Sequence, residues 1–529
     1  MGKAANLPAP FGGINKKSPK AALTSPYCEE LLNFNTTAAG IELRNGDSLW
    51  SAVHNIAPVA TDTFLGFVKY GDISLFYAAE PSLGNTRYFN ISTGTASLAH
   101  TSAASTFNGE LFTLYFNKYV FTFSASGSGG DYYNGSAWGS WGFTFSTITP
   151  IGGCAFNNRA YFVGRSTATY AYGGISSITG ATTEVDLAGI LLEQSYLSTI
   201  APVTIANAGQ TLTVLAFVFF SGEVLFYSGS YPDSPTWSLA GRGKIGKPLS
   251  YNSSIDYQGD ALIMTRSGLV SLRDIYLSGG QQATTKTVSE PIDPDWIKLV
   301  NVIIAQGGST YNEASTGRVK FIFGDWWSAE NRIVISFPIK LDDAGSLALG
   351  NTYFVYDTLR SAWMTHRSFG VGGIEGLVEF KDKILITGGG TADATDYITI
   401  MEKEGSSDFQ DANFDAVSLT SYDYEFLSAP IPFAKTAVYE ATGIEPIIES
   451  DLYGETNWNL IADFGKQTSG DQKTDALTTS IAKPMANVGM QNITYVQVKM
   501  SGTTAASKTV GLDLYSYNVW YDSGQEASR

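Results

Sequence analysis

The feature that most constrains this chain is a tight polar turn that recurs between short aromatic or β-branched runs. It occurs at Tyr70-Gly71-Asp72, Phe107-Asn108-Gly109, Phe116-Asn117-Lys118, Phe156-Asn157-Asn158, Phe220-Ser221-Gly222, Tyr257-Gln258-Gly259 and Lys381-Asp382. Gly, Asn and Asp tolerate the positive φ that two-residue hairpins require, so each occurrence predicts two antiparallel strands joined by a short loop. Residues 222–274 display the unit most fully. An apolar run over 212–220 turns at Ser221-Gly222, returns over 223–227, loops between Pro232 and Pro235, and leaves as a Trp-bearing run over 236–240. Runs over 253–257, 261–265 and 269–273 then repeat the pattern. The unit is an antiparallel meander with a loose period of roughly 35 to 50 residues, the range of propeller blades. Radial repetition of such sheets leaves few exposed strand edges. The expected fold is all-β: a β-propeller of about six blades, with an extended N-terminal arm and a C-terminal β-sandwich.

Size and punctuation place the boundaries. With 529 residues the chain exceeds the length at which a single core stops growing, so repeats or several domains must carry it. Residues 1–55 hold Pro8, Pro10, Gly12-Gly13, Pro19 and Pro26 and read as an arm laid over other parts or over another subunit. Within it, Ser25 before Pro26, with Glu29 and Glu30 following, predicts a turn or two of helix. Residues 56–405 form the expected propeller. Helix-compatible spacing over 184–197 and the Asp293-Pro294 start of a second short helix read as connectors between blades. The Gly/Ser-rich stretch 124–130, followed by Asp131, Tyr132 and Tyr133, is expected to be a long loop or a protruding tip, hence a contact surface. Beyond residue 408 no turn of the earlier kind recurs, and strands over 420–426, 438–449, 458–464, 495–500 and 510–521 predict a separate sandwich over 406–529.

Charge and composition exclude several functions. Thirty-three basic and 49 acidic residues give a net charge of −16, which disfavours tight binding to nucleic acid or anionic lipid. Cys28 and Cys154 stand too far apart in sequence for metal-ligand spacing and make no disulfide framework, so an intracellular site of folding is expected. The N-terminus lacks the apolar stretch of a signal peptide, and no run reaches the ~20 residues of a membrane span. His54, His100 and His366 fall on different elements, none beside a partner at ligand spacing, and no nucleophile elbow, P-loop or dinucleotide fingerprint is present. No catalytic residue, metal or cofactor is expected. One enzymatic alternative survives: residues 230–237 (SYPDSPTW) resemble the Asp-box turn of sialidases, with Pro232 and Ser234 where the box has Asp and Gly. A carbohydrate-binding or glycosidase propeller would use groups such as Asp233 and Arg242, with two carboxylates about 5 to 10 Å apart.

Taken with the opening Phe11-Gly12-Gly13-Ile14-Asn15, then Cys28-Glu29-Glu30-Leu31-Leu32-Asn33-Phe34 and Leu43-Arg44-Asn45-Gly46, the stretch 222–274 resembles the tail nozzle or tail hub proteins of short-tailed bacteriophages. The matching pieces include Gly222-Glu223-Val224, Ile245-Gly246-Lys247-Pro248, Gly259-Asp260 and Ser267-Gly268-Leu269-Val270, and residues 356–363 (YDTLRSAW) resemble the family's later strand-turn-Trp unit. The resemblance spans about residues 8–400. It implies a non-enzymatic virion subunit, assembled in the host cytoplasm into a sixfold homohexameric ring beneath portal and adaptor. Its partners would be other copies of itself, the adaptor or tail tube protein and tail fibres or spikes. Genomic DNA would slide through without tight binding. Phe11, Asn15, Lys16 and Lys17 of the arm, with Asp131, Tyr132 and Tyr133, are then the candidate interaction surfaces. A third reading, a host-recognition spike, would put its tips at 124–133 and in the terminal sandwich.

Overall fold

The computed structural model describes residues 3–523 apart from 20–21, 46, 51–62, 81–84, 94–95, 106–110, 125–129, 208–209, 280–286, 307–311, 314–317, 320–321, 342–346, 349–350, 369–373, 389–396, 403–409, 413–418, 422, 433–438, 451–455, 463–466, 469–471, 475–489, 492–494 and 504–511. The turns foreseen from sequence are hairpin turns with the backbone they require. Asn117 and Lys118 have φ of 49° and 67°, Asn157 and Asn158 45° and 58°, Gln258 and Gly259 50° and 74°, and Lys381 and Asp382 50° and 63°. The Phe107-Asn108-Gly109 turn lies outside the described residues.

Each hairpin grows into a blade. Blade 1 comprises Thr63–Tyr70, Ser74–Glu80, Asn85–Asn90 and Ser97–Ser105. Blade 2 comprises Leu111–Phe116, Tyr119–Ser124, Asp131–Tyr133 and Trp138–Ser140. Blade 3 comprises Pro150–Phe156, Arg159–Gly164, Thr169–Tyr172 and Thr183–Asp186, and blade 4 comprises Leu197–Asn207, Gln210–Phe219, Glu223–Ser228 and Ser238–Lys244. A short three-stranded sheet follows, Ser254–Tyr257, Asp260–Thr265 and Gly268–Ser271. Blade 5 is Phe323–Trp327, Arg332–Phe337, Asn351–Asp357 and Ala362–Ser368. Blade 6 is Ile374–Phe380, Lys383–Gly388 and Tyr397–Ile400, and its fourth strand, Ser48–Leu49, comes from the arm. The first strands of successive sheets pack side by side, except that blade 4 meets the short sheet at its second strand, and the first strand of blade 6 returns to that of blade 1, so the ring is closed. Among the described residues, six four-stranded blades and the short sheet make a β-propeller.

Aromatic side chains fill the wedges between blades. Phe76 meets Tyr133 at 4.7 Å between blades 1 and 2, Phe143 meets Phe162 at 4.9 Å beside blade 3, and Tyr170 meets Phe217 at 4.6 Å between blades 3 and 4. Such rings bury large apolar areas and keep an edge-to-face preference that fixes blade spacing. The second strand of blade 5, Arg332–Phe337, is buried at every position because layers cover both its faces.

Two connectors depart from the sequence reading. The run expected over 269–273 ends as a strand at Ser271, whose hydroxyl caps helix α1 (Leu272–Leu277) by accepting from the Asp274 amide. Helix α2 (Asp293–Gln306) is present where Asp293-Pro294 foretold it, and it buries Trp296 against Phe337 and Phe354. The helix-compatible spacing of 184–197 yields only a 3-10 turn, Ala188–Ile190, after the last strand of blade 3.

The terminal strands do not stand apart. Leu512–Ser523 pairs with Tyr439–Ser450 on one side and with Lys3–Pro8 and Ile41–Leu43 on the other. A facing sheet holds Asp423–Ser428, Tyr495–Thr503 and Thr456–Ala462, and Phe426 reaches across to Tyr517 with ring centroids 5.9 Å apart. Cys28–Leu32 adds to that sheet beside Asp423–Ser428 and touches Ala362–Ser368 of blade 5, so sandwich and blade share one eleven-stranded sheet. The helix expected from Ser25 is therefore a strand: pairing with Asp423–Ser428 outweighs a local signal carried by Pro26 and two glutamates.

Candidate functional site

The segments that stand out in the sequence of the arm and of blade 5 meet at one junction. Gly13 adopts φ +72°, and a Cβ there would lie 2.6 Å from the Trp363 carbonyl oxygen. The Ile14 amide donates to that same oxygen at 2.9 Å, the Asn15 amide to Cys28 O at 3.0 Å, and the Cys28 amide to Gly13 O at 3.0 Å. The Trp363 indole N–H donates to Val288 O at 2.9 Å, which ties blade 5 to the approach to α2. A glycine is required at 13 both for its backbone conformation and for this close approach.

Behind this contact lies a buried polar cluster. Asn33, itself at φ 60°, accepts at Oδ1 from Arg44 Nε (3.0 Å) and the Arg367 amide (2.8 Å), and donates from Nδ2 to Asp423 O (2.6 Å). Arg44 is 1% exposed and donates to Asp47 Oδ1 (3.2 Å) and Arg367 O (3.1 Å). Asp47 Oδ1 in turn accepts from the Glu402 amide at 3.1 Å. Glu402 receives Asn35 Nδ2 (2.6 Å) and Arg332 Nη1 (3.1 Å), while His366 Nδ1 lies 3.1 Å from its other oxygen and His366 Nε2 donates to Phe34 O at 3.2 Å. Asp357 accepts from Thr36 Oγ1 and from Arg360 Nη1. Arg44, Arg332 and Arg360 thus face Asp47, Asp357 and Glu402, a balanced set that answers the cost of burying charge. Burial works against ionised Glu402, yet Arg332 and His366 more than offset it and hold the carboxyl far below its usual range. Burial pushes His366 down, against the pull of Glu402.

Two clefts flank the cluster. One, of about 740 Å³, opens between the first turns of blades 5 and 6 and the arm, bordered by Asn35, Trp327, Arg332, Lys381, Lys383 and Glu402. The other, of about 320 Å³, lies between arm, α2 and blade 5 and includes Lys16, Glu30, Asp295, Lys298 and Arg367.

The structure separates the residues expected to form contact surfaces. Phe11 is 41% exposed on the arm, and Asn15 turns inward to accept from the Ser18 amide at 3.1 Å. Lys16 is bound to Glu30 (2.8 Å) and Asp295 (2.6 Å). Burial disfavours its charge, but those two carboxylates raise its pKa. Lys17 pairs with Glu290 at 2.6 Å. Both lysines therefore tether the arm to its own chain. The protruding tip at Asp131, Tyr132 and Tyr133 is corrected: the three form the third strand of blade 2, with Asp131 and Tyr133 buried and Tyr132 packed on Tyr119. They pair with Tyr119–Ser124 on one side and Trp138–Ser140 on the other, and the Gly/Ser run before them gave no sign of it. Residues 125–129 lie outside the described residues.

The Asp-box reading loses its geometry. The turn at 230–237 joins the third and fourth strands of blade 4 and is held by Ser230, Ser234 and Thr236 hydroxyls, with Trp237 stacked on Tyr227. Asp233 accepts from the Tyr172 hydroxyl at that turn, whereas Arg242 reaches Glu223 (2.6 Å) at the opposite end of the blade. The pair a glycosidase would have used is not brought together. Burial pushes the Cys154 thiol up, away from the thiolate form. His54 lies outside the described residues, His366 is buried, and His100 is stacked on Trp138. Among the described residues, no group of three His, Cys, Asp or Glu gathers as metal ligands, and no helix is long and apolar enough to cross a membrane.

No family model and no curated protein matches the chain. Among solved structures, YCF48 from Cyanidioschyzon merolae is 9% identical, with 66% of this chain and 98% of that one covered at a TM-score of 0.38. The Cps50 (Swd1) beta-propeller domain of Myceliophteria thermophila gives 9% identity, 69% and 99% coverage and 0.38. A mutant Trypanosoma rangeli sialidase displaying trans-sialidase activity gives 10% identity, 98% and 95% coverage and 0.31. At these scores the likenesses carry no function; the blades themselves establish the propeller.

Proposed function

We propose that the chain is a non-enzymatic structural subunit of a short phage tail, a nozzle or hub protein that joins copies of itself in a sixfold ring around a DNA channel. The observation that carries this reading is convergence. The opening Phe11–Asn15 segment, residues 28–34, Leu43-Arg44-Asn45-Gly46 and the strand-turn-Trp unit at 356–363 are, beside 222–274, pieces by which the sequence resembles nozzle proteins. Three of them lie close together in the arm and the fourth more than 300 positions further on, and they touch one another at a single junction.

Two physical features favour the reading. The arm and the C-terminal strands form a sandwich fused edge to edge with blade 5, which makes a stiff two-part subunit suited to bearing load in a ring. The charge of −16 suits a conduit that DNA traverses without adhering. The chain would act in the virion, alongside an adaptor or tail tube protein and tail fibres or spikes. Electron microscopy of the purified chain, alone and with its phage's adaptor protein, tests this. Sixfold rings docked on the adaptor are expected; a chain that stays monomeric and binds no tail component overturns it.

A further inference from the structure

The smaller of the two clefts, of about 320 Å³, lies where blade 5 runs into the sandwich, and its floor follows one row of the shared sheet. Phe354 is the cross-strand partner of Thr365, Thr365 of Leu32, and Leu32 of Glu425, so these side chains stand next to one another on one face. Thr352 and Arg367 form the neighbouring pair on that face. Helix α2 borders the cleft with Asp295, Lys298 and Leu299. The carboxylates here are already matched. Lys16 lies between Glu30 (2.8 Å) and Asp295 (2.6 Å), and Glu425 faces Lys499 at 3.1 Å. Two cations are not: among the described residues no carboxylate pairs with Lys298 or with the Arg367 guanidinium, and the Thr352 and Thr365 hydroxyls make no hydrogen bond. The base of Arg367 is nevertheless anchored, because its amide donates to Asn33 Oδ1 (2.8 Å) and its carbonyl accepts from Arg44 Nη2 (3.1 Å).

Two unmatched cations and two free hydroxyls around one concave space select an anion, and a guanidinium fork takes a carboxylate through two parallel hydrogen bonds. The bordering acids limit the charge that enters. A dianion such as phosphate would be repelled twice as strongly by Glu30, Asp295 and Glu425 as a single carboxylate would. Leu32, Leu299 and Phe354 add apolar wall, which suits a ligand with a short hydrocarbon stem. We propose that this cleft is a binding site for a carboxylate on a short aliphatic stem, gripped by Arg367 and Lys298. Two sources carry that group: a free small carboxylate, or a glutamate side chain of a second copy of this chain, whose 49 acidic residues against 33 basic make such groups plentiful. The first source stands without the ring reading, and the second rests on it.

The test is saturation-transfer difference NMR of butyrate with the full chain, with butan-1-ol as the uncharged control and inorganic phosphate as competitor. A saturable butyrate signal is expected, absent for butan-1-ol and retained against an equal concentration of phosphate. Arg367→Gln and Lys298→Gln, both at exposed positions, are each expected to weaken butyrate binding about tenfold and to leave the melting midpoint in place. Should one variant fail to fold, the other decides. Sedimentation velocity with and without butyrate then assigns the source: oligomers that butyrate disperses point to a glutamate of a second copy, and a distribution that butyrate leaves unchanged points to a free carboxylate. A monomeric chain that still binds butyrate would keep the site and remove the ring. No saturable signal in the wild type, undiminished binding in both variants, or displacement by equimolar phosphate overturns the site.

Discussion

At the scale of single residues, the most consequential position is Glu402, which draws Arg332, Asn35 and His366 together beneath the arm. Glu402→Gln keeps the shape but strips Arg332 of its counter-charge inside the fold. A loss of about 3 to 5 kcal/mol is expected in denaturant titrations. The pH dependence follows from two depressed values. The Glu402 carboxyl is held below its unfolded value of about 4.3, so its contribution is complete above that pH and drains away as pH falls toward the folded value. His366 is also pushed down, so the fold favours its neutral form and loses stability as pH drops through about 6.5, where the unfolded imidazole begins to take up protons. Unfolding free energy measured from pH 7.5 to 4 is therefore expected to decline in both ranges. A flat profile would show that the cluster is not titrating in this way. None of these partnerships was legible beforehand, because Asn35 meets Glu402 across 367 positions, His366 meets Phe34 across 332, and Arg332 meets Glu402 across 70.

At the scale of elements, hairpins were readable and long-range strands were not. The turns at 117–118, 157–158, 258–259 and 381–382 declare themselves because positive φ is a local demand met by a few residue types. Lysine at 118 meets it poorly. Lys118→Gly is expected to raise stability by about 0.5 kcal/mol, and Asn158→Ala to lower it by about 1 kcal/mol, both read from thermal melts. The opposite case is Cys28–Leu32, whose own residues suit a helix start but whose place is set by Asp423–Ser428. Asp131–Tyr133 was misjudged for a similar reason: its burial depends on blade 1, not on the glycines before it. Removing residues 1–16 would strip Lys3–Pro8 from Leu512–Ser523 and bare that strand from Ser516 to Tyr521. Concentration-dependent self-association is expected by light scattering, since an uncovered edge templates further pairing. A truncated chain that remains as dispersed as the parent would contradict this.

For the whole molecule, the meander period announced a propeller and the three strands of the short sheet, while helix α1, which follows them where a fourth strand would stand, was not foreseen. Net charge is the property that bears on DNA. With −16 overall, the purified chain is expected to leave duplex DNA unshifted in gel electrophoresis at low salt, where phosphate-seeking surfaces bind best. Retention at micromolar protein would argue against a passive channel wall. The pairing of Lys3–Pro8 with Leu512–Ser523, and of Ser48–Leu49 with Tyr397–Ile400, also sets an order of events during synthesis. The ribosome makes residues 3–8 long before residues 512–523, so the earlier strand must wait, unmated, until its neighbour is synthesised. A copy whose synthesis stops short of Leu512–Ser523 would leave Lys3–Pro8 without its neighbour and could not lock shut.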